Sequence, residues 1–241
     1  MPMNVLDQQI GYYKARADEY DEWFFRKGRY DRGPELNQLW HSDVAAVRRA
    51  LEAFKPSGEV LELACGTGLW TNQLAECADS VLAVDAAEEM LTVNKRRVAR
   101  PNVAYELGDI YQWATQRKFD CVFFGFWLSH VPEDRFQSFW QLVRSVLKPN
   151  GRVFFVDSLP NPESGASNHP VADASATVQE RFLNDGRRFQ IIKRYFDVDD
   201  LRSTLCEFGW QVSLRTTPNF FLYGELAFTS KGDRSDSLGS W

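Results

Sequence analysis

The chain has little of what a metal-binding or disulfide-linked protein would need. Its 241 residues include three histidines and four cysteines. The cysteines show no C-x-x-C spacing and have no histidine beside them; they are Cys65, Cys77, Cys121 and Cys206. The sequence therefore predicts neither a disulfide framework nor a zinc site, and no bound metal is expected.

Long apolar runs and a surplus of basic residues are also missing. No apolar stretch approaches the roughly 20 residues that cross a bilayer, and the N-terminal segment lacks the apolar centre of a secretion signal. The formal net charge is −5, whereas a protein that grips the nucleic-acid backbone needs a basic face. We therefore expect a cytoplasmic enzyme or binding protein that binds neither nucleic acid nor a membrane.

The middle of the chain alternates strand-like apolar runs with amphipathic helical stretches. The strand-like runs are 59–65, 80–85, 103–109, 119–126 and 152–158, and the helical stretches between them are 69–78, 87–99 and 136–147. Short connections between such elements predict an α/β fold with a doubly wound, Rossmann-like and mostly parallel sheet.

The flanking segments have different patterns. Helical spacing extends to about Phe25, and a second helix opens at Pro34. After Ser158 come a loop-like stretch, a hairpin turn at 184–186, a helix capped by Asp197 and two final strands, which complete a sheet of seven with an antiparallel last strand. We predict one domain over 1–229, divided into an N-terminal helical lid (1–56), a cofactor-binding core (57–158), a loop and hairpin insertion (159–196), and a C-terminal helix with strands (197–229), followed by a disordered tail (230–241).

The segment "LELACGTG", residues 61–68, reads as a buried strand that ends in a glycine loop. Loops of this kind bind the charged part of a cofactor. Dinucleotide sites favour G-x-G-x-x-G, but Thr71 stands where the third glycine would be. In addition, the Glu62 carboxylate is unfavourable beside a pyrophosphate and favourable beside a ligand with an ammonium and a sulfonium group.

The segment resembles the acidic-x-small-x-G-x-G motif of class I S-adenosylmethionine (SAM)-dependent methyltransferases. Four further landmarks follow in the family's order: Asp85 at the end of the second strand, "GDI" at 108–110, "FDCVFFGFWLSHVP" at 119–132 and "LKPNGRVFFVD" at 147–157. The resemblance covers about 57–157. It implies SAM as cofactor and S-adenosylhomocysteine (SAH) as product.

The resemblance also implies which residues contact the cofactor. Asp85 is expected to bind the ribose hydroxyls, and Asp109 is expected to hold the adenine amino group. The full set implied is Glu62, Ala64, Cys65, Gly66, Gly68, Asp85, Ala86, Met90, Gly108, Asp109, Ile110, Phe126 and Tyr20.

The acceptor is less well specified. The fourth strand is followed by neither an [N/D]-P-P-[Y/F] stretch nor a Pro-Cys pair, and no acidic metal-binding cluster is evident. Without these motifs, the chain resembles the small-molecule branch of the family, similar to the ubiquinone and menaquinone biosynthesis methyltransferases. That branch implies transfer to an oxygen or nitrogen of a small aromatic or amphipathic molecule, with Tyr13, Trp127 and His130 as acceptor contacts.

Several alternatives stay open at this point. His130 follows the fourth strand and is the candidate general base, but a substrate contact or a structural position at a helix start would also explain it. The hairpin insertion is expected to form another wall of the site or a homodimer contact. A nicotinamide-dependent oxidoreductase and a SAM-binding regulatory protein without methyl transfer are the competing functions.

Overall fold

The computed structural model describes residues 4–168 and 176–228. The disordered tail predicted at 230–241 therefore lies outside the described residues, as does part of the predicted insertion. The following bounds and contacts refer to the described ranges.

Three helices precede the sheet. They are α1 (Val5–Arg16), α2 (Tyr20–Phe24) and α3 (Pro34–Phe54). The helical spacing to about Phe25 is interrupted after α1, because Ala17 and Glu19 donate their N–H groups to carbonyls only three residues back and so tighten the chain into a turn. The start of α3 at Pro34 is confirmed, with proline in the first helical turn, where its missing N–H costs nothing.

Nine strands and four further helices follow. The strands are β1 (Glu59–Leu63), β2 (Ser80–Asp85), β3 (Val103–Leu107), β4 (Phe119–Gly125), β5 (Leu147–Ser158), β6 (Val178–Phe182), β7 (Arg188–Ile192), β8 (Gln211–Thr216) and β9 (Phe221–Ala227). The helices are α4 (Thr71–Cys77), α5 (Glu88–Val98), α6 (Glu133–Ser145) and α7 (Val198–Glu207).

Seven of these strands form one sheet in the order β3-β2-β1-β4-β5-β9-β8. Strands β1 to β5 are parallel to one another, and β9 runs antiparallel to both β5 and β8. Strands β6 and β7 pair separately as the inserted hairpin. The predicted fold class is thus confirmed. The strand order reverses between β1 and β4, and at such a switch point the loops diverge and leave a crevice at the carboxyl edge.

Strand β4 shows why the sheet is buried on both faces. Phe124 packs against Phe139 and Trp140 of α6, whereas Phe123 points to the other face, where it packs against Trp70. Burying one such side chain stabilises the fold by about 1.5–3 kcal/mol. Much of the aromatic content is therefore core.

Strand β5 begins earlier than the predicted 152–158. Phe119 pairs with Leu147, but Cys121 pairs with Arg152, so the intervening "KPNG" segment forms an irregularity within the strand. The prediction was wrong here because proline and glycine were interpreted as ending the preceding helix and the following pairing was not foreseen.

Two further findings concern the described part of the chain. None of its helices is both long and apolar enough to span a membrane. The four cysteines are unpaired.

Gly224 of β9 lies where the sheet leaves no room for a side chain. A Cβ atom there would stand 2.5 Å from Leu214 Cδ2 and 2.6 Å from Phe155 Cε1. We expect Gly224→Ala to lower the free energy of unfolding by about 1–3 kcal/mol, because both neighbours must shift. Chemical denaturation measures this.

Gly11→Ala is the matched control, since a Cβ at Gly11 would meet its nearest atom, on Phe189, at 3.7 Å. Alanine in a helix interior is favoured over glycine by about 0.5–1 kcal/mol, so no loss is expected. Equal stability of the two variants would contradict the packing argument.

Candidate active site

A cavity lies at the carboxyl edge of the sheet, at the switch point. The turns after β1, β2, β3 and β4 contribute to it, and α1 and α2 cover it. Of the thirteen residues implied as cofactor contacts, nine line this cavity, and eight of the nine belong to the predicted cofactor-binding core: Ala64, Gly66, Asp85, Ala86, Met90, Asp109, Ile110 and Phe126. Tyr20, the one contact implied from outside the core, lines it as well.

The backbone of the glycine loop is held in an uncommon conformation. Ala64, Gly66 and Gly68 have φ angles of 52°, 52° and 86°. A Cβ at Gly66 would meet nothing within 4 Å, so the backbone is open to a ligand there. At Gly68 a Cβ would stand 2.5 Å from Asn94 Oδ1. Gly68 therefore allows the loop to pack against α5 and does not line the cavity.

Asp85 forms hydrogen bonds to both the turn after β1 and the turn after β2. Its Oδ2 accepts the Gly66 N–H at 2.9 Å, and its Oδ1 accepts the Ala87 N–H at 2.9 Å. Burial raises the pKa of Asp85 to about 6. Each oxygen keeps a second lone pair, so the carboxylate can also accept the two hydroxyl groups of a ribose.

Asp109 occupies the corresponding place after β3. Its oxygens accept the Tyr111 N–H at 3.0 Å and the Gln112 side-chain amide at 3.1 Å. Gly108 beside it has a packing function, since a Cβ would stand 2.7 Å from the Trp113 ring. Gly108 does not line the cavity.

Glu62 and Cys65 were also expected to contact the cofactor, but both side chains lie beneath the loop. The Glu62 carboxyl is hydrogen-bonded by Thr71, and its Oε2 is buried without a protein partner. Burial raises the pKa of Glu62 to about 8. Cys65 packs in a small apolar cluster with Ala83 and Leu91. Strand alternation in β1 sets the direction of Glu62, whereas Cys65 follows the strand and its direction is set by the fold of the loop.

A second cavity adjoins the first. The N-terminal helices, the segment after β5 and the hairpin form its walls. Four residues line both cavities, namely Tyr13, Tyr20, Phe126 and His130. They mark the passage between the two spaces. Trp127, predicted as an acceptor contact, lines only the first cavity.

His130 lies in a short 3-10 turn (Leu128–His130) after β4 and is buried. Its Nδ1 is 2.5 Å from the Ile192 carbonyl, and its Nε2 is 2.7 Å from the Tyr13 hydroxyl. Because a carbonyl can only accept, Nδ1 carries the proton and Nε2 accepts from Tyr13. Burial, followed by the nearby Lys193 ammonium, lowers the pKa of His130 to about 3. The imidazole is thus neutral at physiological pH.

A buried ion pair supports this turn. Asp157, at the end of β5, accepts the Ser129 N–H at 2.8 Å and lies 3.4 Å from the Lys193 ammonium. Lys193 also donates to the Ser129 hydroxyl at 2.8 Å. The sequence assigned no role to Asp157 or Lys193, and the role of Lys193 depends on the folding of the hairpin over the sheet.

The second cavity also contains two guanidinium groups that the sequence did not single out. Arg16 is buried, donates to the Tyr30 hydroxyl at 3.0 Å and lies over the Tyr20 ring. Arg181 of β6 donates to the Gln179 side-chain oxygen. Among the described residues, neither arginine lies within ion-pairing distance of a carboxylate.

The chain is similar in sequence and structure to known methyltransferases. The sequence profile of a family described as a methyltransferase domain matches residues 60–151. The solved structure of DhpI with SAH is 35% identical, with a TM-score of 0.75, and the match covers 93% of this chain and 97% of that one. The DhpI complex with SAM and HEP is 34% identical, with a TM-score of 0.77 and coverages of 94% and 99%. The chain belongs to the class I SAM-dependent methyltransferases.

Curated relatives support the same family. The demethylmenaquinone methyltransferase of Staphylococcus saprophyticus is 30% identical over 156 residues, which are 60% of this chain and 64% of the relative. That of Clavibacter sepedonicus is 36% identical over 61% of this chain and 58% of the relative. The chain thus spans less than two thirds of the length of these relatives. The cofactor of this methyltransferase is SAM, and the nicotinamide alternative is not retained.

We expect Asp85→Asn to weaken SAH binding by about 10- to 100-fold, because a charge-assisted hydrogen bond to the ribose is lost. Binding requires the carboxylate, so the affinity of the wild type should fall as the pH falls through about 6. Isothermal titration calorimetry at pH 5 to 7 measures both effects.

Asp79→Asn, at an exposed position just before β2, serves as the control and should bind SAH like the wild type. The affinity of Asp85→Asn should be nearly independent of pH over the same interval. A wild-type affinity that is constant between pH 5 and 7 would count against the proposed ribose contact.

Proposed function

We propose that this methyltransferase transfers the methyl group of SAM to an oxygen atom of a small molecule that carries an acidic, anionic group. One observation carries the proposal. The second cavity opens onto the cofactor cavity and holds the Arg16 and Arg181 guanidinium groups without carboxylate partners among the described residues.

The electrostatics of the second cavity favour an anion. Arg16 is buried and Arg181 is half-buried. A buried cation that lacks a counter-ion is costly, and an anionic group bound beside Arg16 would remove that cost. Arginine suits such groups because its planar fork can form two parallel hydrogen bonds to a carboxylate or a phosphate-like group. Two buried donor groups that line the same cavity, Tyr12 Oη and Gln179 Nε2, also have no hydrogen-bond partner in the described part of the chain.

The first cavity fits the cofactor. Gly66 offers open backbone, Asp85 and Asp109 offer carboxylates at two strand ends, and Met90 and Phe126 offer apolar surface. When bound, SAM supplies an electrophilic methyl group for in-line displacement. The chain's own contribution is to bring the acceptor atom into line and to exclude water from the passage.

The chemistry at the passage suits an acceptor that needs no base. An acidic oxygen is already ionised at neutral pH, and the His130 imidazole at the passage has a pKa of about 3 with its Nε2 occupied by the Tyr13 hydroxyl. We therefore assign His130 to positioning Tyr13 and not to the base role predicted from its place after β4. The rings of Tyr13, Tyr20 and Trp23 would contact the apolar part of an amphipathic acceptor.

The proposal can be tested with paired acceptors. Small carboxylates, sulfonates, phosphonates and phosphate monoesters would each be compared with a neutral alcohol, amine or amide of the same skeleton, with SAH formation as the readout. We expect turnover with anionic members only. Turnover confined to neutral amines or phenols would overturn the anionic acceptor, and SAH binding without turnover across the set would favour the regulatory alternative.

We expect Arg181→Met to raise the acceptor KM by about 10- to 100-fold, because the loss of a charge-assisted hydrogen bond costs about 1.5–3 kcal/mol. The Kd for SAH should change less than twofold, since Arg181 lines only the second cavity. Steady-state kinetics and calorimetry measure the two quantities.

Arg188→Met is the matched control, because Arg188 belongs to the same hairpin but is exposed and lies outside both cavities. It should leave the acceptor KM unchanged. If Arg188→Met and Arg181→Met raised KM equally, the effect would reflect the hairpin's overall charge instead of a contact.

The role of His130 is tested by the pH dependence of kcat. With a positioning histidine, the wild-type kcat should show no rise between pH 5.5 and 8, and His130→Gln should lower kcat without changing the shape of the profile. A wild-type profile that rises with an apparent pKa of about 6 to 7, and that becomes flat in His130→Gln, would restore the base role.

A further inference from the structure

Helix α2 is short, but three consecutive side chains in it reach three separate parts of the molecule. Asp21 accepts a hydrogen bond from Thr67 of the glycine loop at 2.7 Å. Glu22 accepts from the side-chain amide of Asn184, in the turn of the hairpin, at 3.0 Å. The Trp23 indole donates to the Ser164 carbonyl, in the segment after β5, at 3.0 Å. The helix therefore joins the glycine loop to both the hairpin and the segment after β5, which form walls of the second cavity. Because the proposed function places the acceptor there, this second cavity is called the acceptor cavity.

The contact at Asp21 is part of a closed network of three residues. Thr67 lies between the two loop glycines and is buried. Arg97, near the end of α5, donates to the Thr67 carbonyl at 2.7 Å and to the Thr67 hydroxyl oxygen at 3.0 Å. The same guanidinium forms an ion pair with Asp21. Both charged side chains are a little over one quarter exposed, so solvent weakens this pair only in part.

The residues around Asp21 connect this network to the passage between the cavities. Tyr20 lines both cavities and packs against the Ala87 and Met90 cluster beside the cofactor site. Trp23 lines the acceptor cavity and contacts the Phe126 ring with 4.7 Å between centroids. A displacement of Asp21 by the loop must therefore move Tyr20 and Trp23.

We propose that Asp21 is a positioning residue that makes the glycine loop and helix α2 move as one body, so that cofactor binding orders the acceptor cavity. Of the side-chain hydrogen bonds from α2 described above, only those of Asp21 reach the cofactor-binding core. The other two reach the hairpin and the segment after β5. Coupling of this kind is reciprocal, so an ordered acceptor cavity must also tighten the binding of the cofactor, and such gains in affinity appear mostly as slower dissociation.

The test uses SAH as the probe and needs no knowledge of the acceptor. In the wild type, saturating SAH should slow amide hydrogen exchange in 17–30 as well as in the glycine loop. In Asp21→Asn, which keeps the size of the side chain but loses the ion pair, we expect exchange in 17–30 with SAH bound to be at least fivefold faster than in the wild type. SAH dissociation should accelerate by about 5- to 50-fold.

Two variants separate the coupling from a general loss of structure. Arg97→Gln removes the charged partner of Asp21 that belongs to the core, and it should reproduce both effects. In the double variant, amide exchange and SAH dissociation should be no faster than in either single variant. Glu22→Gln changes the adjacent residue of the same helix, which contacts Asn184 and not the loop. Its SAH dissociation rate should stay within twofold of the wild type.

The outcomes distinguish this inference from the proposed acceptor. Equal SAH-induced protection of 17–30 in the wild type and in Asp21→Asn would overturn the coupling, as would equal acceleration of SAH release by Glu22→Gln. Failure of the acceptor series would overturn the anionic acceptor alone, since the exchange experiment uses only SAH. Failure of the wild type to bind SAH would overturn both.

Discussion

The hydrogen bond from the Gly66 N–H to Asp85 Oδ2 is the contact on which the site depends. It fixes the loop after β1 against the turn after the neighbouring strand β2, at the carboxyl edge of the sheet. The next residue, Thr67, then lies where Asp21 and Arg97 can bind it. A single buried carboxylate therefore sets both the shape of the cofactor loop and the attachment of the helices that cover it.

The charged residues are distributed unevenly, so the net charge of the chain does not represent the charge of its second cavity. A chain with a net charge of −5 encloses a second cavity in which cations prevail. Lys193 is compensated by Asp157, and the pair stabilises the turn that carries His130. Arg16 and Arg181 have no such compensation among the described residues. The Lys193–Asp157 pair thus has a structural role, whereas the two arginines are the groups that we propose to bind the acceptor.

The cofactor half of the site could be predicted from the sequence because its chemistry is local. A glycine loop after a strand, and an acid at the end of each of the next two strands, are encoded by neighbouring residues. The motif could not show that Glu62, Cys65, Gly68 and Gly108 lie beside the cavity and not in it, since strand alternation and packing decide that. The acceptor half could not be predicted, because Arg16, Arg181 and Lys193 come together only when α1 and the hairpin meet over the sheet.

The residues that hold the walls of the acceptor cavity together differ from the residues whose side chains face its interior. Arg26 and Arg29, from the N-terminal layer, donate to backbone carbonyls of Ser164, Glu163 and Phe182 in the segments opposite. Backbone carbonyls are present whatever the side chain, so these bonds do not depend on the residues of the insertion. The side chains that line the cavity, Arg181 among them, are not needed for these bonds. If Arg181 binds the acceptor as proposed, a change of acceptor would require new side chains on the hairpin and no change in Arg29, which holds the hairpin, or in Arg26, which holds the segment after β5.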